Sequence, residues 1–181
     1  MRNARARTTD RNDSLTTLMK TDRPSVPVAL LRDPLHLVAL GFGAGCAPRA
    51  PGTSGSVIGV AFYLLMTSLS LSWYIAITLL AFLLGVWVCE RTSARLGVHD
   101  HPAIVWDEAV GYLVTMIAAP QELHWAVAGF LLFRAIDIVK PWPIRWLDRH
   151  VRGGLGIMID DMAAGLMSLA VLQLIAHVVQ R

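Results

Sequence analysis

Beyond its first 33 residues the chain carries nine acidic side chains. Seven of them (Asp100, Asp107, Glu108, Asp137, Asp148, Asp160 and Asp161) fall where apolar stretches begin or end. A carboxylate beside an apolar helix is costly unless it is paired or bound to a metal, so the seven are candidates for one shared polar site. Asp160 and Asp161 open an apolar segment that runs to about residue 179. One aspartate at a helix start caps free N–H groups and complements the helix dipole; two in succession exceed that role. Asp107 and Glu108 lie in IVWDEAVGY. In a helix, Asp107, Gly111 and Thr115 share a face, and the glycine either leaves room for a ligand or permits close helix packing. Asp137 has Arg134 and Lys140 three residues away on either side. That spacing fits a local salt bridge worth a few tenths of a kcal/mol, or a carboxylate held among cations that face a phosphate.

Two loops add to this set. In APRAPGTSGS (residues 47–56) Pro51-Gly52 reads as a tight turn, with Thr53 or Ser54 capping the helix that follows. Free N–H groups at a helix start, small hydroxyl side chains and Arg49 suit an anion, phosphate above all; such a loop can equally just begin a helix. His99-Asp100-His101 alternates metal-ligand types, though exposed loop histidines share that pattern. Cys89 and Arg95 match a bare Cys-x5-Arg spacing, but no His precedes the cysteine and no Gly shapes CERTSAR. An Asp-x-Asp nucleophile and a Walker loop are also missing. Metal-assisted attack by water is the simplest phosphate chemistry left.

The elements that must position these residues are apolar. Hydrophobic residues make up 55% of the 181 and charged residues 16%, with a mean hydropathy of +0.53, against roughly 45–50% and about 25% in ordinary soluble domains. Residues 1–33 hold seven basic and four acidic side chains, and the remainder nine of each. The basic balance therefore belongs to a polar N-terminal tail, and the folded part has no basic stripe for nucleic acid. The tail reads as a disordered extension, or as a segment drawn to anionic lipid that keeps the N-terminus cytoplasmic. It lacks the apolar stretch of a secretory signal. Cys46 and Cys89 form no metal-binding or disulfide pattern.

No formal charge appears between Arg49 and Glu90. That stretch is too long for one span and is broken near residues 68–72, which predicts helices over 54–67 and 73–88. Residues 90–102 read as a polar connection. Further helices are predicted over 104–118 and 121–140, the latter stopped by Pro141 and Pro143, with a short piece at 144–148. Residues 153–156 read as a flexible glycine loop, and the last helix as 160–179. The expected fold is all-α: a tail over 1–33, then one compact multi-helix bundle over 34–181 with two to four membrane-embedded or membrane-spanning helices.

Four blocks in this order, GFGAGCAPRAPGTSGS, HDHPAIVWDEAVGY, FRAIDIVKPWPIRWLDR and GGLGIMIDDMAAG, closely resemble the phosphatidylglycerophosphatase A family, from about residue 35 to 177. The resemblance implies a helical, Mg²⁺-dependent lipid phosphatase of the bacterial inner membrane, multi-pass, with its active site facing the cytoplasm. It would hydrolyse phosphatidylglycerophosphate to phosphatidylglycerol and phosphate, a step toward phosphatidylglycerol and cardiolipin. By position it makes Asp107, Glu108, Asp137, Asp160 and Asp161 catalytic. Asp100, Asp107, Glu108, Asp160 and Asp161 become metal ligands, and Arg49, Thr53, Ser56, Arg134, Lys140 and Arg145 phosphate-binding. Ala47 and Pro102 stand where the family pattern leads one to expect Ser and Gly, and His150 and Arg152 where it leads to Asn and His; none of these departures removes a carboxylate. On this reading Asp107 or Glu108 is the general base, and a covalent aspartyl-phosphate route stays open. The rival class is a small transporter or ion-conducting bundle; acids at helix ends and the loop around Thr53 argue against it. A soluble helical relative acting on another phosphomonoester is disfavoured by the long uncharged stretch.

Overall fold

A computed structural model describes residues 26–180; most of the segment assigned to the tail lies outside them. Of the described residues of that segment, Leu30 is buried: a 3-10 turn at Val28–Arg32 packs it against Leu40 and Ala103. Seven α-helices follow, with no strand among the described residues: α1 (Pro34–Ala39), α2 (Pro51–Met66), α3 (Leu71–Leu96), α4 (Trp106–Thr115), α5 (Leu123–Val139), α6 (Ile144–His150) and α7 (Gly153–Val179). The all-α expectation holds. Local chemistry sets the ends. The Asp33 carboxylate caps α1, accepting from the Leu35 N–H at 2.9 Å, with Pro34 in the first turn. Left-handed Gly97 stops α3, and left-handed Lys140 stops α5 just before Pro141.

Two helices, α3 and α7, are long and apolar enough to cross a membrane. They pack against each other with opposite direction: Gly154 of α7 lies against Val86 and Glu90 of α3, and Met158 against Gly85. Their outward faces expose Leu79, Leu80, Leu83, Leu174, Ile175 and Val178. At 16 residues α2 is apolar but short. The centre of the bundle is α4, whose residues are almost all buried and which packs on α2, α3, α5 and α7. Hydroxyl and indole groups lock it in place. Tyr112 donates to the Ala126 carbonyl at 2.9 Å, Tyr74 to that of Leu113 at 2.7 Å, and Trp106 Nε1 to that of Ala81 at 3.0 Å.

Three sequence-based boundaries need correction. Residues 153–156 are the first turn of α7, not a flexible loop. A Cβ on Gly154 would sit 1.9 Å from the Val86 carbonyl oxygen, so this glycine serves close helix approach. Asp160 and Asp161 therefore lie two turns inside α7 and cap nothing. The polar stretch after Glu90 continues α3 to Leu96, because Thr92 and Ser93 are buried and bond their hydroxyls to the carbonyls of Val88 (2.7 Å) and of Val98 and His99 (2.8 Å each). Pro51-Gly52 is the first turn of α2, entered from left-handed Ala50, so neither Thr53 nor Ser54 is the cap.

The crossing of α4 and α7 is made by two glycines. A Cβ on Gly165 would lie 2.5 Å from the Gly111 carbonyl oxygen, and one on Gly111 would lie 2.8 Å from that of Asp161. Close packing is thus the role of Gly111. Gly165→Val is expected to cost about 2–3 kcal/mol, the upper range for forcing volume into a filled interior, read from chemical unfolding in detergent. An unchanged midpoint would mean that the helices do not cross there.

Candidate active site

The α4–α7 crossing has a chemical consequence. Asp107 precedes Gly111 by four residues, and Asp161 precedes Gly165 by four. Both helices start at the same end of the bundle, so the two acids, one turn before the crossing, converge. Asp107, Glu108 and Asp161 each offer one oxygen within 4.8 Å of the others. Asp107 and Asp161 are buried and Glu108 half-buried. They form the floor of a pocket of about 350 Å³ that is also lined by Asp100, Asp137, Asp160, Arg134, Lys140, Pro102, Ile104, Ile138 and the segment 50–52.

The cations are held by part of the acid set. Arg134 Nη1 lies 2.6 Å from Asp137 Oδ2 and 3.9 Å from Glu108 Oε1. Lys140 Nζ lies 2.6 Å from Asp160 Oδ2 and 3.2 Å from Asp148 Oδ1, which ties the end of α5 to α6 and α7. The central acids gain less. The Glu108 N–H donates to Asp107 Oδ1 at 3.1 Å, but Glu108 Oε2 and Asp161 Oδ2 are buried without a hydrogen-bond partner, as is Arg134 Nε. Buried carboxylate oxygens left unpartnered beside further carboxylates are what a hard divalent cation completes. The all-oxygen donor set of Asp107, Glu108 and Asp161 fits Mg²⁺ by type.

Burial pushes the Asp107 carboxyl well above the usual carboxylate range, and the charges of Glu108, Asp100 and Asp160 push it further. Burial also raises Glu108, reinforced by Asp161 and opposed in part by Arg134. Burial works to lower the Lys140 ammonium, but the hydrogen bonds and charges of Asp160 and Asp148 outweigh it, and its pKa is raised. Lys140 is thus a fixed cation.

Four other predicted residues sit apart from the pocket. Arg49 and Thr53 are exposed and outside the pocket lining. Ser56 is fully buried, its hydroxyl donating to the Gly52 carbonyl at 3.1 Å. Arg145 is exposed and donates to the Val139 carbonyl at 3.2 Å. Asp100 reaches the pocket from an exposed loop position. Its histidine neighbours are engaged elsewhere: His99 Nε2 accepts from the Gly153 N–H at 2.8 Å, and His101 Nδ1 from the Ala103 N–H at 3.1 Å. Ala50, Pro51, Ile104 and Ile138 also line the site, and Gly52 abuts Glu108 Oε1. Only the glycine signals this in the sequence, since a side chain there would displace the carboxylate.

Comparison with known proteins gives one coherent result. The family model for phosphatidylglycerophosphatase A matches residues 37–176. The chain is 47% identical over 148 residues to phosphatidylglycerophosphatase A of Escherichia coli K12, covering 81% of this chain and 86% of that one. It is 43% identical over 155 residues to the protein of the same name from Haemophilus influenzae Rd, covering 84% and 94%. A Bacteroides thetaiotaomicron relative, provisionally named a phosphatidylinositol-3-phosphatase, is 37% identical over 140 residues, covering 73% and 87%. No solved structure matches.

The raised carboxyls make stability pH-dependent. Between the ordinary carboxylate range and the raised values, the folded chain holds protons that the unfolded chain has released, so stability falls as pH rises through that window. In EDTA, the thermal midpoint in detergent is expected to fall as the pH rises above the ordinary carboxylate range, and Asp107→Asn to flatten the profile. A wild-type midpoint that climbs over the same interval would contradict the assignment.

Proposed function

The chain belongs to the phosphatidylglycerophosphatase A family, and from that footing we propose that it hydrolyses the terminal phosphomonoester of phosphatidylglycerophosphate to give phosphatidylglycerol and phosphate. The observation that carries this reading is the convergence of Asp107, Glu108 and Asp161, with two unpartnered oxygens among them, beside Arg134 and Lys140. Asp160 and Asp161 lie inside α7, so the case against a transporter rests on the three converging acids with two cations beside them rather than on acids at helix ends.

Charge bookkeeping supports a divalent cofactor. Six carboxylates and two cations line the pocket, and such an excess of negative charge repels a phosphate unless metal ions offset it. Asp107, Glu108 and Asp161 would hold Mg²⁺, with Asp100 at the rim. When bound, Mg²⁺ supplies Lewis-acid polarisation of the phosphoryl oxygens. Arg134 and Lys140 bind those oxygens and stabilise charge in the transition state. Asp137 orients Arg134, and Asp160 orients Lys140. Asp107 or Glu108, through an oxygen that the ion leaves free, would act as the general base that takes a proton from the attacking water.

The membrane-length helices α3 and α7 and the family together make this a membrane protein. Its placement in the bacterial inner membrane with the pocket facing the cytoplasm is supported by charge. The connections at the far end, residues 67–70 and 116–122, hold no Lys or Arg, whereas Arg49, Arg91, Arg95, Arg145, Arg149 and Arg152 stand at the pocket end.

Phosphate release from phosphatidylglycerophosphate in mixed micelles tests the proposal, with Mg²⁺ and then with EDTA, and with phosphatidylinositol-3-phosphate in parallel. Release should require the metal and favour the first lipid, and Asp161→Asn should lower it about a thousandfold or more while membrane insertion persists. No release from well-folded protein would overturn the proposal; release unaffected by EDTA would remove the metal from it.

A further inference from the structure

The run KPWPIRWLDRHVR from Lys140 to Arg152 joins the pocket to the start of α7. Trp142 is 82% exposed and Trp146 52%, and they follow Ile138 and Val139 at 70% and 62%. Such an apolar patch beside a polar site is unfavourable in water. Around it stand Arg145, Arg149 and Arg152, all exposed. The one acid of the run, Asp148, is engaged by Lys140, so the surface left is apolar and basic.

The height of this surface in the molecule is fixed by α3. From Leu71 to Cys89 that helix has no charge, a length of about 28 Å at 1.5 Å per residue, close to the roughly 30 Å of a bilayer's hydrocarbon core. The first charge is Glu90, whose carboxylate accepts from the Gly154 N–H. The beginning of α7 therefore stands at the level where the hydrocarbon ends, and α6, which leads into it, packs against α7. On α3, Trp87 lies one turn before that level, half exposed, with the Arg91 guanidinium 6.0 Å from its ring. Two segments remote in sequence thus present exposed tryptophan and arginine at the pocket end of the bundle. Indole rings favour the headgroup layer, and arginines there favour anionic lipid.

We propose that Trp142, Trp146, Arg149 and Arg152 dock α6 on the anionic headgroup layer of the bilayer, beside the mouth of the pocket. The inference rests on the reading of the chain as a membrane-embedded lipid enzyme. It assigns the contact surface, which neither the family nor the reaction specifies.

The test uses the full chain in vesicles, carrying Cys46→Ser and Trp142→Cys, with an environment-sensitive fluorophore on the new thiol; Trp146→Cys is a second position. In vesicles containing phosphatidylglycerol the label should emit to the blue. Lipids spin-labelled near the headgroup should quench it several-fold more than lipids labelled at the chain end, and aqueous iodide should quench it weakly. In pure phosphatidylcholine the blue shift should shrink, and Arg149→Glu with Arg152→Glu should abolish the difference between the two vesicles. Quenching by iodide as full as that of the free dye at both positions would overturn the proposal. So would protection from lipid and iodide alike that disappears on dilution of the protein in lipid, which would assign the face to a second copy. No readout depends on turnover, so failure here leaves the phosphatase assignment standing, and the reverse.

Discussion

Like charges have to be held together in this molecule, and its architecture serves that constraint. Asp107, Glu108 and Asp161 repel one another, yet their oxygens come within 4.8 Å. The backbone contact between Gly111 and Gly165 enforces this, since α4 and α7 cannot separate without losing their closest packing. The buried tyrosine hydroxyls and the Trp106 indole hold α4 against translation. Gly154 seats α7 on α3. The outer acids take the two cations: Arg134 goes to Asp137, and Lys140 to Asp160 and Asp148. The inner three keep unpartnered oxygens. Electrostatic cost is thus concentrated where a divalent ion would relieve it.

Much of this was legible in the sequence, for physical reasons. Carboxylates beside apolar stretches are conspicuous because they are expensive, so all six acids of the pocket stood out before any geometry was known. The charge-free stretch after Arg49 marked α2 and α3, and the patterns around Pro141 and Pro143 marked the end of α5. Partner choice was not legible. Asp137 has a cation three residues away on each side, but the left-handed turn at Lys140 swings that ammonium to Asp160 and Asp148.

Glycine was the main source of misreading. Gly153, Gly154 and Gly156 look like a loop when read locally, and only the proximity of α3 shows that Gly154 is needed for contact rather than for flexibility. With that turn restored to the helix, Asp160 and Asp161 move from a capping position to an interior one. The same confusion affected residues 51–56. There the glycine, not the hydroxyl side chains, brings α2 next to Glu108, and the Ser56 hydroxyl is consumed within its own helix.

The interior position of Asp160 and Asp161 also determines how the protein meets its substrate. A single continuous helix carries both the acids and the membrane-length apolar segment, with no hinge between them. Under the proposed function, the reacting centre stays with the bilayer and does not leave it to search, and a diacylated substrate does not leave it to be found. Their encounter is a lateral collision in two dimensions, so the governing variable is the mole fraction of phosphorylated lipid in the leaflet rather than its concentration in the surrounding volume. Diluting the membrane with other lipids slows such a reaction, while diluting the suspension with buffer leaves the rate per enzyme unchanged.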